Sequence, residues 1–231
     1  ILSRLARLTA EATRLIDDFQ FGEAGRLIYE FFWGDYCDWY IEMSKLDIRR
    51  ALPTLVHVLE QSLRLLHPYM PFVTEEVYQH LRRAVIGERP TRAQLAAWPE
   101  ALIIAPWPQA AAMDEQAERD MTLLIDAIRA IRNARAGYNV RPDKCTAAMI
   151  VAGELSPLFE SHRAALCMLA RLDETGLVIL DSIQTAPQKA LPLVLGAVTI
   201  YLPFAQMVDI EAERARLTQE LAEVEALIAK S

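Results

Sequence analysis

Glycine is scarce in this sequence, with eight residues in 231, about half the usual share near 7%. The eight are also dispersed: the closest pair is Gly22 and Gly25, and no Gly-x-Gly or Gly-x-x-x-x-Gly-Lys-Ser/Thr occurs. Loops of that kind let backbone N–H groups cradle phosphate, so their absence argues against a nucleotide-binding fold. Cysteine is rarer still. Cys37, Cys145 and Cys167 form an odd, widely spaced set without Cys-x-x-Cys, and His57, His67, His80 and His162 lack the spacing of a zinc site. No metal site and no catalytic residue is assigned, and the thiols are expected to be reduced and in a core. Long apolar runs are missing as well. Leu191 to Phe204 is the longest, shorter than a membrane span and interrupted by Pro192, Gly196 and Pro203. No signal or transit sequence opens the chain, and the expected compartment is the cytoplasm, with no membrane partner. Finally, there is no excess of positive charge. The net charge of −7 weighs, taken whole, against a nucleic-acid partner.

What is present is apolar, helical periodicity, at 53% hydrophobic residues. Leu5, Leu8, Ala12, Leu15, Ile16 and Phe19 recur at three-to-four spacing opposite Arg4, Arg7, Glu11 and Arg14, which predicts one amphipathic helix. A second is expected from about Glu23 to about Lys45, with a broad apolar band from Leu27 to Ser44. A third has Pro53 in its first turn and ends at His67-Pro68. A fourth runs from Pro71 or Thr74 to about Val85, where Thr74-Glu75-Glu76-Val77 resembles a capped start. From Gly87 to Ala112 closely spaced prolines break the pattern and leave a connector with two Trp-Pro anchors, Trp98-Pro99 and Trp107-Pro108, and room for a short strand at Ala101 to Ala105. A long helix from near Asp114 to about Ala136 follows, stopped by Gly137.

After Arg141-Pro142 the pattern becomes mixed. Thr146 to Val151 and Leu177 to Leu180 read as strands, and Ser156 to Leu172 as a helix with Ser156 at its cap. Leu191 to Leu195 and Val198 to Leu202 flank Gly196-Ala197 as a hairpin. Ile210, Arg214, Leu217, Leu221, Val224 and Ile228 then form a coiled-coil seam with one charged position. The expected fold class is therefore mainly α: an antiparallel helix bundle over 1–140, a small α/β unit over 141–206, and the start of a coiled-coil arm over 207–231. Both ends read as cut from something longer.

Three clusters can carry chemistry. Asp35, Asp38 and Glu42 share a helix face, but nothing nearby supplies a nucleophile or phosphate loop, so they read as a solvated or salt-bridged face that orients cations. Between residues 129 and 144 stand five cations, Arg129, Arg132, Arg135, Arg141 and Lys144, against the single acid Asp143. These could contact phosphates, though composition alone favours an ordinary solvated helix C-terminus whose dipole attracts cations. Phe31, Phe32, Trp33, Tyr36, Trp39 and Tyr40, followed by Lys45, Arg49 and Arg50, suit unstacked bases, or are simply core.

Particular words in the sequence go further. Tyr29-Glu30-Phe31-Phe32-Trp33-Gly34-Asp35-Tyr36-Cys37-Asp38-Trp39-Tyr40-Ile41-Glu42 closely resembles the helix-bundle domain of the valyl-tRNA synthetase family. Leu66-His67-Pro68-Tyr69-Met70-Pro71-Phe72-Val73-Thr74-Glu75-Glu76 is similar to that family's next signature. Ala105-Pro106-Trp107-Pro108, Ala130-Ile131-Arg132-Asn133-Ala134-Arg135 and Val208-Asp209-Ile210-Glu211-Ala212-Glu213 follow in order. The resemblance spans nearly the whole chain. It implies the anticodon-binding portion of a bacterial-type class I ligase, which esterifies valine to its tRNA with ATP and Mg²⁺ in a separate catalytic domain and edits in another. The His-Ile-Gly-His and Lys-Met-Ser-Lys-Ser signatures of that catalytic domain are absent here, so the chain alone is expected to be inactive and to hold no cofactor. Its expected partners are valine tRNA and the rest of the synthetase chain, and not DNA. By position, Ile41 matches a site where the family presents an apolar side chain to an anticodon base, and Lys45, Arg49, Arg129, Arg132 and Arg135 are the accompanying candidates for tRNA contact. The alternatives are a helical scaffold module, or the equivalent domain of an isoleucyl or leucyl relative.

Overall fold

Leu5, Leu8, Ala12 and Leu15, three and four residues apart, form the dry face of α1 (Leu2–Asp17). That face meets α2 (Phe21–Glu30) and α3 (Ile48–Leu66), and Ile28, Phe31, Tyr36, Leu55, Val58 and Leu65 complete one core cluster. Each such side chain contributes about 1.5–3 kcal/mol on burial. A second cluster of Leu63, Tyr78 and Leu102 joins α3 to α4 (Pro71–Ile86). The computed structural model describes residues 1–87, 91, 93 and 98–207. It divides into two compact units, Ile1–Arg119 and the segment from Asp120 onward. The coiled-coil arm expected over 207–231, apart from Met207, lies outside the described residues, as does Pro90 of the connector.

The expected helix from Glu23 to Lys45 is not a single α-helix. After α2 the chain winds into an 11-residue π-helix, Phe31–Ile41, and returns to one α-turn at Glu42–Ser44. The wider winding places Phe31, Tyr36 and Ile41, five apart, along the line that packs on the core. It also brings Phe32, Tyr36 and Tyr40 into a row, with ring centroids 5.7 and 6.4 Å apart, the first pair tilted and the second stacked.

Pro53 is not in the first turn of its helix. Asp47 caps α3 by accepting from the Arg50 amide, so the helix begins at Ile48 and Pro53 falls inside it, exposed. The Thr74 hydroxyl donates to the Met70 and Pro71 carbonyls instead of capping, and α4 starts at Pro71. The strand expected at Ala101 to Ala105 is a single 3₁₀ turn, Leu102–Ile104. There the Leu102 amide donates to Glu75 Oε2 at 2.9 Å, where a strand would need a ladder partner. Both Trp-Pro anchors hold: Trp98 stacks on Tyr78 at 5.9 Å, and Trp107 Nε1 donates to Thr13 Oγ1 at 2.8 Å.

α5 (Glu115–Gly137) opens on Asp114, whose carboxylate accepts from the Ala117 amide. The first unit ends at Arg119, within this helix. In the second unit, β1 (Thr146–Val151) leads through a 3₁₀ turn (Gly153–Leu155), α6 (Ser156–Ser161) and α7 (Arg163–Ala170) into the parallel strand β2 (Leu172–Leu180). β3 (Ala190–Leu195) and β4 (Val198–Pro203) form the expected hairpin, followed by the short α8 (Phe204–Met207). Gly196 supplies the positive φ of 58° that the two-residue turn needs. The sheet order is β2-β1-β4-β3. The single helix expected over 156–172 breaks at His162, because Ser161 Oγ and His162 Nδ1 both lie 2.8–2.9 Å from the Leu158 carbonyl and compete for it. Ser156 turns back to donate to the Gly153 carbonyl. β2 starts five residues before its expected first residue. Its polar segment from Asp173 conceals the strand, and the register shifts where Gly176 lies against Ala147.

Candidate nucleic-acid interface

The candidates fall in both units. In the first, the π-helical run delivers Ile41 to the point where the chain turns into α3. Ile41 is half-buried and packs against the core, so part of its side chain, not all of it, is presented to solvent. One turn on, Lys45 Nζ donates to both carboxylate oxygens of Glu42 at 2.6 and 2.7 Å. Both partners of that pair are largely exposed, and such a pair contributes at most about 1 kcal/mol, so a phosphate can displace Glu42 at little cost. Arg49 sits in the first turn of α3 and is exposed. Around the two cations the chain exposes Leu46, Ile48 and Leu52, each about half accessible. The result is a corner of mixed apolar and cationic surface, with Asp47 committed to its cap. Leu46, Ile48 and Leu52 were not singled out from the sequence. Their signal was three apolar residues interleaved with Lys45, Arg49 and Arg50 at a helix start.

The carboxylates on the preceding helix are employed as cation holders. Asp35 pairs with Arg4 and Glu42 with Lys45. Of the six aromatics in the same segment, Phe31, Tyr36 and Trp39 are buried, while Trp33 is half-exposed and meets Tyr29 at 6.2 Å. A cavity of about 480 Å³ in this unit is lined by Thr13, Ile16, Asp17, Phe21, Tyr69 and Trp107 among others, and none of the candidate residues borders it.

The arginines of α5 do not form a common stripe. Arg129 is exposed beside Asp126, at 3.6 Å. Arg132 Nε donates to the Leu169 carbonyl at 2.7 Å. Arg135 is only 5% accessible. Its guanidinium donates to Thr146 Oγ1 at 2.9 Å and to the carbonyls of Lys144, Arg141 and Arg171 at 2.5, 3.3 and 3.4 Å. Burial, with the nearby Arg171 charge adding to it, holds the Arg135 pKa below the usual arginine value. Its place as a phosphate contact is therefore corrected to a buried clamp, since the donors a phosphate would use are already engaged. Cys145 is exposed, contrary to the expectation of three core thiols. Cys37 and Cys167 are half-buried, and burial raises the pKa of both. Among the described residues no group of three His, Cys, Asp or Glu side chains is placed to hold a metal ion, and no helix is long and apolar enough to cross a membrane.

Comparison with known proteins places these features. The family model for the anticodon-binding domain of tRNA ligase matches residues 1–150. The valine–tRNA ligase of Dehalococcoides mccartyi is 39% identical over 238 residues, covering 99% of this chain and 26% of its own length. That of Bacillus cereus is 37% identical over 225 residues, covering 94% of this chain and 24% of its own length. The valine–tRNA ligase of Halalkalibacterium halodurans is 40% identical over 225 residues with the same coverage. The chain thus spans about a quarter of the length of the curated relatives it matches. With that match over well more than half of its residues, the chain belongs to the family of anticodon-binding domains of tRNA ligases.

Proposed function

We propose that this chain is the tRNA-binding portion of a bacterial-type, cytoplasmic valine–tRNA ligase, and that the corner of Ile41, Lys45 and Arg49 meets the anticodon. The observation that carries the reading is the near-complete coverage of the chain by valine–tRNA ligases at 36–40% identity. The corner adds a physical reason. A half-buried apolar side chain supports an unstacked base, while cations on exposed, weakly paired side chains take the flanking phosphates. Valine activation with ATP and Mg²⁺, and editing, belong to other parts of the ligase. The residues present here do not fit either group: the sequence has no phosphate-cradling glycine loop, and the described residues offer no cluster of metal ligands. This portion raises the aminoacylation rate only where its contacts favour the reactive alignment of the acceptor end.

The test is binding and aminoacylation by the full-length ligase, with valine tRNA and an anticodon-swapped control. The reading predicts preference for the valine anticodon, and Ile41→Ala should reduce that preference by on the order of tenfold, about 1.4 kcal/mol. Indifference of the wild-type ligase to the anticodon would overturn the reading as a whole. An unchanged preference in Ile41→Ala would overturn the assignment of Ile41.

A further inference from the structure

One end of the sheet gathers positive charge that the anticodon corner does not use. The parallel pair β1 and β2 begins there, at Thr146 opposite Leu172. β4 ends there and β3 begins there, with Ala190 opposite Pro203. Lys144 precedes β1, Arg171 immediately precedes β2 and Lys189 immediately precedes β3. All three are exposed, and among the described residues none of them is ion-paired. Arg141, at the same end, is paired with Asp143. Asp173 is the nearest further acid along β2, and its carboxylate accepts from Thr175 Oγ1. With strands about 4.8 Å apart, the row from β2 across β1 and β4 to β3 spans about 14 Å.

Two observations indicate that this row is built. First, two of its three members are fixed to one another: the backbone carbonyls of Lys144 and Arg171, with that of Arg141, converge on the buried Arg135 guanidinium, and Thr146 N donates to the Arg171 carbonyl at 3.1 Å. Second, Arg171 and Lys189 both stand in the left-handed region, at φ 55° and 59°, as does Asn139 at 53°. Glycine or asparagine is the ordinary occupant of such positions, and long cationic side chains held there carry strain of the sort that collects at functional sites. A helix dipole accounts for a cation after α7, but not for Lys189, which precedes a strand.

We propose that Lys144, Arg171 and Lys189 form a second RNA contact, taking successive phosphates of the tRNA backbone without reading sequence, with Arg135 positioning Lys144 and Arg171. The proposal rests on the tRNA-binding reading above. Its test uses the full-length ligase carrying Lys144→Gln, Arg171→Asn and Lys189→Asn. Asparagine tolerates the left-handed conformation, so the unfolding midpoint should be unchanged or raised. Binding of tRNA should nevertheless weaken on the order of tenfold or more, and the slope of log affinity against log salt should become shallower by about 2–3. The loss should be equal for valine tRNA and the anticodon-swapped control. The charge-retaining variant Arg171→Lys with Lys189→Arg should bind as the wild type does. Unchanged affinity and slope in the triple variant would overturn the proposal, as would an equal loss in the charge-retaining one. Neither result touches the anticodon reading, which fails only if the wild-type ligase is indifferent to the anticodon.

Discussion

Tyr36 Oη donates to the Leu55 carbonyl at 3.0 Å, tying the π-helical run to the middle of α3. The ring is 4% accessible, and burial raises its pKa to about 12. Tyr36→Phe removes one neutral hydrogen bond and leaves the packing, so it should cost about 1 kcal/mol in chemical denaturation. The pH dependence has a definite sign. In the unfolded chain the phenol ionises near 10, so between about 10 and 12 the folded protein retains a proton that the unfolded one has lost. Stability conferred by Tyr36 is therefore complete below pH 10 and falls as pH rises through that window. Tyr36→Phe should flatten this alkaline decline, and an equally steep decline in the variant would contradict it.

Periodicity gave correct notice of α1, α4, α5 and the β3–β4 hairpin because each buries one face and exposes the other, which is what a sequence pattern records. The π-helical run escaped it. With Phe31, Phe32, Tyr36, Tyr40 and Ile41 apolar around much of the circumference, the apolar band is too broad to distinguish a five-residue repeat from a four-residue one. Arg135 was misread for a different reason: a buried cation ordinarily announces itself through an acidic partner, and here the acceptors are carbonyls of residues 141, 144 and 171, set by tertiary structure alone. The order of Ile41, Lys45 and Arg49 was legible. The exposed Leu46, Ile48 and Leu52 beside them were not, since isolated surface apolar residues are ordinary.

Arg135→Met should be among the more damaging substitutions in the second unit. It withdraws donors from three carbonyls and from Thr146 Oγ1, and bonds to a charged donor contribute about 1.5–3 kcal/mol each. A loss of about 3 kcal/mol or more is expected in urea denaturation. Arg135→Lys should restore only part of it, because an ammonium cannot reproduce the planar fork that reaches all four acceptors. Hydrogen exchange at Lys144 and Thr146 should accelerate in both variants. A cost below about 1 kcal/mol would be at odds with a clamp of this kind.

Asp47 links stability to the anticodon corner. Its carboxylate accepts from the Arg50 amide at 3.2 Å and sets the first turn of α3, which carries Arg49. Asp47→Ala should cost about 1 kcal/mol, whereas Asp47→Asn, a comparable cap, should cost little. In the full-length ligase the alanine variant should weaken tRNA binding through fraying of Ile48–Arg50, and the asparagine variant should not. Equal binding losses in both would show instead that the Asp47 charge matters at the interface.

Gly25 tests how tightly α2 is set against Tyr69, three residues beyond the end of α3. A Cβ at this position would stand 2.9 Å from Tyr69 Cε1, and the ring is pinned by its hydroxyl, which donates to the Phe21 carbonyl at 2.8 Å. Two effects of Gly25→Ala oppose each other. Alanine favours the helix by about 1 kcal/mol, while forcing an anchored ring aside costs about 1–3 kcal/mol. The clash should win, giving a net destabilisation of about 1 kcal/mol. With Tyr69→Ala in the background the obstacle is gone, and the same substitution should become stabilising by about 0.5–1 kcal/mol. The change of sign across this double-mutant cycle, read from urea midpoints, isolates the contact from the helix propensity. If Gly25→Ala stabilises both backgrounds alike, the ring is not what requires glycine there.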